Sequence, residues 1–149
     1  MTATADLAVV GAGIAGASTA YYAACAGLRV AVIDRGVPAG GATGAAAANI
    51  RCHHTNPLEA RFAIEARELF SGWDDMVGGD CGFHQIGGLF IVGPEEADRL
   101  RKNVAMLRGL GLNNVVVDGE GLRELQPFMA TDDVGAAAYE PESGYVDLL

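Results

Sequence analysis

The sequence of 149 residues predicts an α/β fold: one βαβ unit at the start, then a mixed α+β part. Three observations predict it. A glycine-rich turn, Gly11-Ala12-Gly13-Ile14-Ala15-Gly16, stands between an apolar run and a helix-like run. A second, β-branched apolar run comes next and ends on the charge of Asp34. Beyond residues 78–80, short strand and helix patterns alternate without βαβ order.

Asp6 to Val10 reads as a short buried strand, and Ile14 to Ala26 as a helix stopped by Gly27. The uncharged stretch 7–28 has the length of a bilayer span, but the spacing of Gly11, Gly13 and Gly16 favours a strand, a turn and a helix in series. Arg29 to Asp34 is the second strand, parallel to the first and joined right-handedly. Residues 36–49 are rich in glycine and alanine with almost no large side chain; such a stretch suits close approach of backbone to a ligand, or a mobile loop.

Asn56-Pro57 starts a helix, with Asn as cap and Pro in the first turn. Phe62, Ala66, Leu69, Phe70, Trp73, Met76 and Val77 recur at helical spacing and predict its core-facing stripe, with Gly78-Gly79 as its end. Residues 83–92 are strand material kinked at Gly87-Gly88. Pro94 opens a helix with Ala97, Leu100, Val104 and Leu107 on one face, ended by Gly109 and Gly111. Val115 to Val117 is a strand, Asp118 caps a short helix to Leu125, and Gly135 to Tyr139 is a further strand before the turn at Pro141. A soft boundary near residues 78–80 gives two parts, 1–80 and 81–149.

Composition narrows the function. Ten basic against nineteen acidic residues give a net charge of −9, which provides no phosphate-neutralising stripe for nucleic acid and none for an anionic membrane surface. Half the residues are hydrophobic, which argues against a disordered chain. An odd count of three cysteines without a CxxC pair predicts a reducing, cytoplasmic setting rather than a disulfide scaffold. Cys25 reads as a small core residue. The 21 glycines, about twice the usual share, need a further reason.

The fingerprint supplies part of it. A lone GxGxxG is weak, but here it succeeds a strand, opens a helix and precedes a strand ending in Asp34. In that setting Gly11 allows the tight turn, Gly13 lets backbone approach a pyrophosphate, and Gly16 lets helix and strand pack closely. The helix start at Ile14 and Ala15 aims N–H groups and a positive dipole end at phosphate. Asp34 suits a ribose hydroxyl and would repel a 2′-phosphate. This is a Rossmann-type dinucleotide site, and the fingerprint alone serves FAD and NAD equally.

Beyond Asp34 the chain departs from a simple NAD domain. Asp34-Arg35, the small-residue loop with Thr43-Gly44, and Asn49-Ile50-Arg51 come in order. Then come Gly82-Phe83-His84-Gln85-Ile86-Gly87-Gly88-Leu89-Phe90, Leu125-Gln126-Pro127 and Gly144-Tyr145-Val146-Asp147. The series resembles the D-amino-acid oxidase superfamily of flavoproteins, in particular its sarcosine oxidase beta subunit and glycine oxidase branches, over essentially the whole chain. The later motifs are individually weak but stand in the family's order.

The resemblance implies FAD, held by Gly11, Gly13, Ile14, Ala15, Gly16, Asp34, Arg35, Thr43 and Gly44, with Asn49 near the isoalloxazine edge. It implies oxidation of the C–N bond of a small amino acid or amine: a hydride leaves the α-carbon for the flavin, and water hydrolyses the resulting imine. Arg51 matches the position of a substrate-binding arginine, and a guanidinium grips a carboxylate with two parallel bonds. The alternative for Arg51 is a pair with a local acid or the flavin phosphates. His53 would lie beside the flavin or be a polar loop residue. Adjacent side chains in Cys52-His53-His54 point apart, so no metal site is expected.

The resembling enzymes are more than twice as long. A sheet of two or three strands would be narrow, with an open edge and uncovered apolar surface, incomplete as a stand-alone fold. The second part then reads as the opening of a substrate domain, and a second chain or a C-terminal segment as the expected partner. The alternatives are a non-catalytic dinucleotide-binding or interaction fragment and an NAD-linked dehydrogenase domain.

Overall fold

A computed structural model describes residues 4–147. Strand β1 (Leu7–Val10), helix α1 (Ile14–Cys25) and strand β2 (Val30–Ile33) form the expected βαβ unit. β1 and β2 are parallel, with Leu7 opposite Val30 and Val10 opposite Ile33. Gly27, just after α1, has φ +88°, the left-handed conformation that ends a helix. The Asp6 carboxylate ties the two strand starts together through the Arg29 guanidinium, 2.7 Å away.

Burial in this unit departs from expectation. Both strands and the helix read as buried, yet α1 has no buried residue and Val9 alone is buried in the strands. Val10 is 86% exposed and Ile33 56%. Cys25, expected in the core, is exposed as well. Two strands and one helix have too few faces to cover one another.

Residues up to Ala48 form one compact unit, and those from Asn49 onward form a second. Composition places a soft break near residues 78–80; the division by contacts comes earlier, because the chain after Asn49 pairs and packs with distant parts of the second unit.

The second unit holds two antiparallel sheets of three strands. In one, β3 (Asn49–Ile50) and β4 (Phe83–Gln85) flank β8 (Gly144–Val146). In the other, β5 (Gly88–Val92) and β6 (Val115–Val117) flank β7 (Ala136–Glu140). The kink at Gly87-Gly88 thus passes the chain from one sheet to the other.

Helix α2 (Pro57–Ser71) begins as expected, with the Asn56 side chain accepting the Leu58 N–H. Its phase is different. The buried face is Ala60, Ile64 and Arg67, while Phe62 and Ala66 are exposed. The helix stops at Gly72, and α3 (Trp73–Met76) is a separate turn. Ala60 and Ile64 pack with Cys52, Leu107 and Leu112. The face with Ala60 lies inward, and Phe62 on the other stripe does not, while Leu69 and Phe70 are half-buried.

Helix α4 (Ala97–Gly109) buries the four expected residues, Ala97, Leu100, Val104 and Leu107. The first three pack on Ala136 and Ala138 of β7, with Phe90 and Val92 beside them. Alanines along β7 let the helix sit close to the strand. Helix α5 (Gly119–Leu125) starts where Asp118 accepts the Gly121 N–H. Among the described residues no helix is long and apolar enough to cross a membrane.

Candidate functional site

The fingerprint of the first unit makes a cradle. Gly11 has φ +103°, a conformation that disfavours any side chain, and a Cβ on Gly16 would run into the Gly11 carbonyl oxygen. The turn and the helix start are therefore closed onto each other. Gly13 caps α1 with no side-chain bond, and the N–H groups of the first turn have no helical carbonyl behind them.

The glycine- and alanine-rich loop is tied to this cradle. The Ile14 N–H donates to Thr43 Oγ1 at 3.0 Å, and Ala39 N–H donates to the Ala12 carbonyl at 2.9 Å. Gly44 N–H closes the loop on the Ala39 carbonyl at 2.8 Å. A Cβ on Gly13 would come 2.9 Å from Thr43 Oγ1. The Thr43 hydroxyl thus stands at the helix N-terminus, where an anion is also favoured.

Asp34 fixes the turn from the other side. Its Oδ2 accepts the Ala12 N–H at 2.7 Å and its Oδ1 the Gly36 N–H at 2.8 Å. These two backbone bonds, Ala12 first, hold its carboxyl below the usual range. A carboxylate has about four acceptor positions, so two remain for a ribose. A groove of about 380 Å³ opens beside it, lined by Val10, Gly11, Ile33, Asp34 and Arg35. An N–H cradle, an ionised acid and an open apolar groove together fit the adenosine diphosphate half of a dinucleotide.

The second unit carries the other candidates. Asn49 is exposed on β3, paired with Tyr145. Arg51, two positions on, is also exposed. Its Nη1 donates to the His53 carbonyl at 3.1 Å, and its guanidinium carbon lies 5.7 Å from the centre of the Phe90 ring. No carboxylate among the described residues lies within ion-pair distance of it. Asn49, Arg51, Gly87, Phe90, Gly144 and Tyr145 are among the residues lining a cavity of about 260 Å³.

His53 points inward. Its ring stacks on Phe90 with centres 4.3 Å apart, and its Nδ1 is 3.4 Å from Glu140 Oε1. Glu140 is almost wholly buried, and its Oε2 accepts the Cys52 N–H at 3.1 Å and the Ser143 hydroxyl at 2.8 Å. Burial pushes the Glu140 carboxyl up, but His53, Cys52 and Ser143 outweigh it and hold the carboxyl below its ordinary value. Burial, with the Glu140 charge nearby, pushes the Cys52 thiol up to about 11.

Sequence reasoning did not single out Glu140 or Asn103, whose Nδ2 is 3.2 Å from His53 Nε2. The available signal was a lone acid ending an otherwise small, apolar strand, Ala136-Ala137-Ala138-Tyr139-Glu140.

Known proteins resemble the chain over nearly all of it. Glycine oxidase from Geobacillus kaustophilus (strain HTA426) is 30% identical, over 98% of this chain and 41% of its own length. Mitochondrial dimethylglycine dehydrogenase from Rattus norvegicus is 26% identical, over 96% of this chain and 17% of its own length. The crystal structure of L-proline dehydrogenase from P. horikoshii superposes with a TM-score of 0.89 at 25% identity, covering 99% of this chain and 39% of that one. The chain therefore spans well under half the length of each of these relatives. The FAD dependent oxidoreductase family, DAO, matches residues 6–149. With its dinucleotide cradle and the motif order that accompanies it, the chain belongs to the DAO family of FAD dependent oxidoreductases.

Proposed function

We propose that the chain is the N-terminal part of an enzyme that oxidises the C–N bond of a small amino acid or amine, and that Arg51 grips the substrate carboxylate. The observation that carries this reading is the setting of Arg51: an exposed guanidinium at a cavity, bonded to a backbone carbonyl and to no acid among the described residues. A guanidinium so placed keeps donors for a planar anion, and the face of Phe90 supports its cation. Glycine, proline and dimethylglycine, which name the relatives, all pair a carboxylate with an amine nitrogen.

Bound FAD supplies the two-electron acceptor for a hydride from the substrate α-carbon. The chain's own residues bind and orient. Gly11 and Gly13 keep side chains away from the pyrophosphate, and Gly16 lets the helix close onto the turn; the helix start at Ile14 and Ala15 faces the phosphates, with Thr43 bonded to the Ile14 N–H and Gly44 beside it. Asp34 takes the ribose, and Arg35 borders the groove for adenine. Asn49 lines the same cavity as Arg51 and is the residue we assign to the isoalloxazine edge. His53 supports the Arg51 segment from within, between Glu140 and the Phe90 ring.

A further segment, from the same chain or a second one, completes the fold. The exposed apolar side chains of Val10, Val32 and Ile33 support that reading. The odd count of three thiols supports a cytoplasmic setting.

The test is Arg51→Ala in the full-length enzyme. It should raise KM for a carboxylate-bearing substrate by about 100-fold or more, the scale of a lost charge-assisted pair, while FAD affinity stays within about twofold. Equal loss of both would remove the grip from Arg51.

A further inference from the structure

We propose that Glu140 is a positioning residue that sets Arg51, acting through His53 and across two walls of the cavity. The inference rests on the reading of Arg51 as the carboxylate grip. One wall is the segment Asn49, Ile50 and Arg51; the other is the segment Ser143, Gly144 and Tyr145. Glu140 Oε2 bonds to the residue after the first wall, Cys52 N–H, and to the first residue of the second, Ser143 Oγ. A single buried carboxylate oxygen thus joins the two walls.

Its other oxygen faces His53. That ring has three close neighbours: Glu140 Oε1 at 3.4 Å from Nδ1, near but with no hydrogen bond formed, Asn103 Nδ2 at 3.2 Å from Nε2, and the Phe90 face at 4.3 Å. The tautomer with its proton on Nδ1 is the one that suits both neighbours, since it turns an N–H toward the carboxylate and leaves Nε2 to accept from the Asn103 amide. The His53 carbonyl in turn accepts from Arg51 Nη1 at 3.1 Å. The same Phe90 ring lies under the His53 imidazole and 5.7 Å from the Arg51 guanidinium carbon. The chain of contacts runs from Glu140 to His53 to Arg51 and ends at the cavity.

A buried carboxylate is a poor device for stability alone, since an apolar group of similar volume often serves as well. What it does provide is a fixed arrangement of its donors. Here those donors flank the grip, and a flexible arginine binds an anion better when its resting place is set in advance.

The experiment uses the full-length, FAD-loaded protein and titrates acetate, with acetamide as the uncharged probe of the same shape, recording the perturbation of the flavin spectrum. Glu140→Gln should weaken acetate about tenfold, with acetamide and FAD affinities held within about twofold; in an Arg51→Lys background it should add almost nothing, the signature of two residues acting as one. Should Glu140→Gln not fold, His53→Ala should show the same selective loss, and His53→Gln, whose amide can still donate to Glu140, should restore acetate binding. If Arg51→Lys leaves acetate unchanged, the grip itself falls and the positioning role with it. If Arg51→Lys weakens acetate but Glu140→Gln does not, or costs the same in both backgrounds, or His53→Gln fails to restore, the positioning role is overturned while the grip stands.

Discussion

At the residue scale, Gly16 is the position with the least freedom. A Cβ there meets the Gly11 backbone rather than a side chain that could turn away. Gly16→Ala should destabilise the first unit by about 1–3 kcal/mol, the usual cost of overpacking, and weaken FAD binding in the full-length protein. Thermal unfolding and flavin retention on gel filtration check both, and unchanged retention would contradict the close packing. The cysteines make a second contrast. Cys25 is exposed, whereas Cys52 is fully buried with its thiol pushed up to about 11. Iodoacetamide at neutral pH should modify Cys25 and leave Cys52 intact until the chain unfolds, because the thiolate is the reactive form; mass mapping of the alkylated peptides reads this directly. Glu140 adds a pH dependence. Its carboxyl is held below its ordinary 4.5, so its contribution to stability is present above that value and is lost as pH falls below it. The acid limb of unfolding below about pH 4.5 should flatten in Glu140→Gln, since the amide takes up no proton there.

At the element scale, local signals were legible and long-range ones were not. The turn glycines, the Asn56 and Asp118 caps and the face of α4 all involve residues within a few positions of one another, and the structure keeps them. Helix α2 shows the limit. Two of its faces carry apolar residues, and mere hydrophobicity favours the aromatic one. Close packing against Leu107 and Leu112 instead takes the face with small Ala60, and Arg67 turns in to pair with Glu142 across the fold. Glu140 is the same lesson at the site: its partner Cys52 lies 88 positions away, reached only through a hydrogen bond from the Cys52 N–H to the buried carboxylate. Leu107, with 0% exposure at the meeting of α2 and α4, should cost about 2–5 kcal/mol as Leu107→Ala, and Phe62→Ala, on the exposed face, less than about 1 kcal/mol. Denaturant midpoints of the two variants distinguish the observed phase of α2 from the one its hydrophobicity suggests.

At the scale of the whole molecule, the two units differ in what they bury. The unit from Asn49 onward holds both hydrophobic clusters, whereas α1 buries nothing. In the 149-residue chain, amides of β5, β7 and α4 should exchange slowest and those of β1, α1 and β2 should be nearly unprotected. Hydrogen exchange read by mass spectrometry gives that order, and equal protection would mean that the first unit is stabilised by something its faces do not show. Recognition of a carboxylate-bearing substrate is read by mixing the full-length FAD-loaded protein, without oxygen, with glycine, N-methylglycine or proline, and with the matching amines methylamine, dimethylamine or pyrrolidine. At least one amino acid should bleach the flavin's visible absorbance, and its decarboxylated partner should do so slower by about 100-fold or more, because the anion grip is then empty. Equal bleaching by both members of a pair, or none by any amino acid tried, would contradict the account.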